Sequence, residues 1–204
     1  MTKEVNIKKS WSEITIKEYI IISNILSSEY LEEDQKIERL ILTLTDLNQV
    51  ELNQLKTTDY TKIVSALKFI KDLPKSKSIP NTLTIKDKKF VVDTKLSEIV
   101  TGQYLMLQNI MKGDTTFDDR LKQVLGIFIH PKDTKWGDFD FEENSEYLYN
   151  NLSIEFGYGL AVFFSSIANK LLKATQRYLT KEMKMMNKSN PKKLTPIASI
   201  QSGD

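Results

Sequence analysis

One imidazole and no thiol limit the chemistry open to this sequence. His130 is the sole histidine and there is no cysteine. Disulfide scaffolds, thiol nucleophiles, zinc sites built on cysteine and dyads that need two histidines are therefore excluded. Carboxylates are the acid–base groups that remain. They gather at Asp114, Asp118 and Asp119, and again at Asp138, Asp140, Glu142 and Glu143. Neither group has the Asp/Asn spacing, central glycine and terminal glutamate of a calcium loop, so both read as helix caps and solvating charge. His130, between Ile129 and Pro131 at a helix end, reads as a capping or packing residue. Gly157-Tyr-Gly159 lacks the third glycine and the preceding strand of a dinucleotide fingerprint, and no Walker motif is present. The expectation is a non-enzyme with no catalytic residue, metal site, cofactor or small-molecule substrate.

Two other patterns suit contact with a partner. Lys170, Lys173, Arg177, Lys181, Lys184 and Lys188 step by three or four residues, which places six cations along one face of a helix. Such a stripe is either a solvated face opposite a core or a contact for phosphates or for an acidic protein surface. A membrane surface fits less well, because the apolar side lacks the Trp and Leu density of an interfacial helix. The second pattern is the aromatic run Trp136-Gly-Asp-Phe-Asp-Phe141, which contains Phe139. Such aromatics either anchor a protein interface or tuck a loop onto its own core.

The elements that must carry these groups are mostly helical. Thr15 with Glu18 forms a capping-box pattern ahead of Ile16, Tyr19, Ile20 and Ser23 at helical spacing. Ile37, Leu40, Ile41 and Leu44 predict a second helix over 33–44, and Asn48 with Glu51 starts a short third. A fourth helix, capped by Asp59 and ended by Pro74, carries Tyr60, Ile63, Val64 and Leu67. The period then changes. Leu83, Ile85, Phe90 and Val92 alternate about Asp87-Lys88 and predict a two-stranded hairpin near 82–93. Helical spacing resumes at Thr101 and runs to Gly113, read as a C′ residue. It returns from Asp118 or Asp119 to Pro131, again over 143–151, and last over 154–186, with Ser153 as the cap. The expected organisation is one mainly α domain over 1–186 with a small hairpin, and an extended basic arm over 187–204 whose Pro, Ser and Lys content is too polar to pack.

The 204 residues carry a net charge of +2 that hides an asymmetry. Residues 170–204 hold eight basic and two acidic groups, a net +6, while residues 1–169 are net −4. Only Arg39, Arg120 and Arg177 supply guanidinium, so base-specific reading of DNA is not expected. No run of about 18 apolar residues can span a bilayer and the first residues lack a signal-peptide core, so a soluble, intracellular protein without membrane contact is expected.

The order of these pieces resembles small α-helical proteins of tailed bacteriophages. It is similar in particular to proteins of crAss-like and related phages that serve as virion components or tail assembly chaperones. The resemblance lies in the opening Trp11-Ser-Glu-Ile-Thr-Ile-Lys-Glu-Tyr19, the Tyr60-x-x-Ile63 step, a hairpin ending in Phe90-Val-Val92, the Thr101-Gly-Gln-Tyr104 helix start and a long last helix. It covers about residues 5 to 180 and leaves out the aromatic loop and the basic tail. It implies a virion protein made in the host bacterial cytoplasm, a ring or connector between portal and tail. Its expected partners are copies of itself, other virion proteins (portal or tail subunits) and, without sequence preference, packaged DNA. A tail assembly chaperone and a nonspecific nucleic-acid binder using the basic helix are the alternatives.

Overall fold

A computed structural model of the chain describes residues 5–75, 77–95, 98–160, 163, 180 and 181. The backbone divides into two units, Met1–Phe164 and Ser165–Asp204. The elements that follow belong to the first unit. The division expected at 186/187, and with it the arm over 187–204, falls outside the described residues.

The fold is mainly α-helical with one small antiparallel sheet. α1 (Ile16–Ser27), α2 (Glu33–Leu44), α3 (Gln49–Asn53) and α4 (Thr57–Ala66) come first. Strands β1 (Thr82–Ile85) and β2 (Lys88–Val92) follow, then α5 (Thr101–Lys112), α6 (Phe117–Phe128), β3 (Ile129–Pro131) and α7 (Phe141–Asn151). Two of the expected caps close reciprocally. Glu18 N–H donates to Thr15 Oγ1 while Thr15 N–H donates to the Glu18 carboxylate, and Asn48 and Glu51 repeat the arrangement. Others shift by a turn or less. α4 starts at Thr57, not at Asp59, which sits in its first turn and pairs with Lys62 at 3.0 Å. There the carboxylate faces the positive end of the helix without capping it. α4 ends at Ala66 and tightens into a 3-10 turn over Leu67–Lys71, well before Pro74. α6 begins at Phe117, one or two residues early, because Thr116 is the cap, accepting from Asp119 N–H at 3.2 Å. Asp140 caps α7 at 2.9 Å and draws its start back to Phe141. Gly113 closes α5 with extended backbone, φ −71°, and not as a left-handed C′ glycine.

α6 also ends sooner than Pro131. Ile129–Pro131 leave the helix and form β3 on the free edge of β2, pairing Val92 with Ile129, Val91 with His130 and Phe90 with Pro131. The hairpin thus gains its third strand, and proline takes the last position, where its missing N–H costs least. Leu83, Ile85, Phe90 and Val92 turn to the core as alternation predicts. α7 ties two of the helices to the sheet. It packs on α6 and α1, stacks Tyr147 on Phe90 with ring centres 5.7 Å apart, and donates from Tyr147 Oη to Ile85 O and from Asn144 Nδ2 to Ile129 O. Residues 154–160 are helical and Ser153 Oγ accepts from Glu155 N–H. Residues 14–16 and 152–154 are stitched by Ile16 N–H to Leu152 O and Ile154 N–H to Ile14 O.

Candidate functional site

The aromatic run of 136–141 separates into three locations. Trp136 lies over Gly102 in the first turn of α5, where a Cβ would come within 2.5 Å of the indole Cζ3. Only glycine lets the ring seat there. Phe139 stacks on the His130 imidazole, 6.2 Å between centres. Phe141 turns its ring toward Gly126 of α6. Trp136 and Phe139 therefore hold the loop to its own body, as one of the two readings of the run allows, with Phe139 also lining a small cavity of about 140 Å³ beside Phe90 and Tyr147, while Phe141 reaches a larger groove.

Behind that loop a polar knot joins β2, α5 and α6. Gln103, 1% exposed, accepts from Val100 N–H at 2.9 Å and donates to Asp93 Oδ2 at 2.8 Å and to Ile127 O at 2.7 Å. The Asp93 carboxylate lies 3.7 Å from His130 Nε2, and His130 Nδ1 faces Pro131 O at 3.1 Å. With an acceptor before each ring nitrogen the imidazolium is favoured. The Asp93 contact holds His130 above its ordinary range against the opposing effect of burial. Asp93 in turn is held below the usual carboxylate range, first by His130. Among the described residues the neighbours of His130 are a carboxylate, a carbonyl and a ring. The arrangement fits a packing and positioning role.

The groove runs over α6, between α5 and α7, with a volume of about 800 Å³. Met106, Ile110 and Phe141 supply its apolar floor, and Asp119, Glu142, Glu143 and Glu146 stand against Lys122, a net −3. α6 and α7 approach closely enough to form it because residue 126 is glycine: a Cβ there would collide with Ser145 Oγ and lie 2.9 Å from the Phe141 ring. Lys122 pairs with Glu146 at 2.9 Å. That bond raises the lysine and lowers the glutamate from their ordinary values. The acidic field extends along α7 to Tyr149, whose hydroxyl is raised by burial and then by Asp118, Glu146 and Asp119. Beside the groove α5 presents Leu105 and Met111 outward, 52% and 38% exposed, and α6 begins with Phe117 at 68%.

Of the basic stripe, Lys181 is helical and exposed; Lys170, Lys173, Arg177, Lys184 and Lys188 lie outside the described residues. Among the described residues no group of three His, Cys, Asp or Glu side chains is placed to hold a metal ion. No described helix is long and apolar enough to cross a membrane. The groove was not foreseen as a site. Its only sequence signals were the acidic clusters at 114–119 and 138–143, read there as caps and solvation, and Phe141. No family model, curated protein or solved structure matches this chain.

Proposed function

We propose that the chain is a structural protein that works through contacts with other proteins, with copies of itself and neighbouring virion subunits as partners. The phage resemblance of its motifs points to the portal–tail region of a tailed particle, in a ring or connector. The observation that carries the reading is the groove: an apolar floor between charged walls, flanked by exposed Leu105, Met111 and Phe117. Its volume falls within the range of small-ligand clefts, about 300–1,000 Å³, so size alone does not discriminate. Its chemistry does. Several carboxylates around apolar side chains suit a basic, amphipathic protein surface and repel phosphate.

Sedimentation velocity of the full chain over a range of concentrations, alone and with portal or tail subunits, tests this reading. Concentration-dependent association is expected. A monomer in every mixture would contradict it. Mass spectrometry of purified particles separates the roles within the class: a connector is found in the mature virion, whereas an assembly chaperone is missing from it.

A further inference from the structure

Glu142 and Glu143 are exposed and form no salt bridge among the described residues; Lys122 of the same groove is bonded to Glu146 and feels Glu142 only at longer range. Elsewhere in the sequence, residues 170–193 hold eight basic groups and one acidic group. Building on the reading that the chain assembles through protein contacts, we infer that the α5–α6–α7 groove of one copy receives the lysine-rich segment, residues 170–193, of a second copy. Charge complementarity is the first support: a net −3 groove on a body of net −4 faces a segment of net +7. Amphipathic pattern is the second. Read as a helix, the sequence of that segment would set Leu171, Ala174, Tyr178 and Met185 beside its cations, a pattern that matches a floor of Met106, Ile110 and Phe141 between acidic walls.

Self-repulsion supplies a third argument. Cations at every third and fourth residue repel one another along a helix, and an acidic groove relieves that repulsion. Each exposed ion pair contributes little alone, so the apolar floor supplies affinity while the charges choose partner and register. Groove and segment are different surfaces of the chain, so the contact is head-to-tail. Such a contact repeats from copy to copy and closes into a ring when the rotation permits.

The test mixes equal amounts of light and nitrogen-15-labelled full-length chain, couples carboxylates to amines with a zero-length carbodiimide, and identifies the joined peptides by mass spectrometry. The expected result is amide links from Glu142 or Glu143 to lysines of 170–193 that join one light and one heavy peptide. The double variant Glu142→Gln/Glu143→Gln should lose those links and weaken association about tenfold by sedimentation, with its far-ultraviolet circular dichroism unchanged. The triple variant Lys173→Gln/Lys181→Gln/Lys184→Gln should do the same. Links confined to peptides of one label, or undiminished association in both variants, would overturn the inference and leave assembly through protein contacts standing. A chain that stays monomeric under all conditions would overturn both.

Discussion

Gln103 joins three stretches of chain with a single amide, and its full set of partners makes it a sensitive point. Leucine there would fill similar space but leave Val100 N–H, the Asp93 carboxylate and Ile127 O without their bonds, a loss of about 2–3 kcal/mol for buried polar groups left unpaired. Chemical denaturation of Gln103→Leu should show that loss. The neighbouring His130–Asp93 pair makes stability depend on pH. His130, raised in the folded state, contributes fully below its unfolded value of about 6.5 and loses that contribution as pH climbs through the folded value. Asp93, lowered in the folded state, contributes above its unfolded value of about 3.9 and loses it as pH falls. The pair should therefore help most between about pH 4 and 6.5. Denaturation curves from pH 5 to 8 should show wild type losing stability relative to His130→Gln as pH rises; a constant difference would mean the pair is not formed.

Among the elements, α6 and α7 depend on Gly126 for their close approach. Gly126→Ala would push a methyl into Ser145 and Phe141, and an overpacked core of this kind costs about 1–3 kcal/mol. A melting temperature equal to wild type would show that the helices can part without penalty. How far these elements can be read from sequence follows from where their information sits. Thr15 with Glu18 and Asn48 with Glu51 were legible because a reciprocal cap is local to four residues, and the hairpin was legible because alternation at Leu83, Ile85, Phe90 and Val92 is local too. β3 was not. Three residues after a helix have no period, and Ile129–Pro131 become a strand only because α6 delivers them to the edge of β2. The starts of α6 and α7 moved for a smaller reason: with Thr116 near Asp118 and Asp119, and Asp140 near Glu142, several capping side chains stood within one turn, whereas α4 begins after Lys56 with no side-chain cap at all. The groove was least legible, since its lining is drawn from three helices and exists only once Gly126 brings two of them together.

At the scale of the whole molecule, charge is divided between an acidic body, net −4 over residues 1–169, and a basic end, net +6 over residues 170–204. Association driven by such opposed surfaces should weaken as salt rises from about 0.05 to 0.5 M, because the screening length shrinks from about 14 to 4 Å. The retained apolar floor should keep a residual interaction at the upper end. Hydrogen–deuterium exchange of the full chain, compared at concentrations below and above its association midpoint, bears most directly on the claim that the groove is a protein interface. Slower exchange in peptides covering 104–112 and 141–149 as association proceeds, with exchange in α2 and α3 unchanged, is the predicted result. Association that leaves exchange at both groove walls unaltered would contradict it.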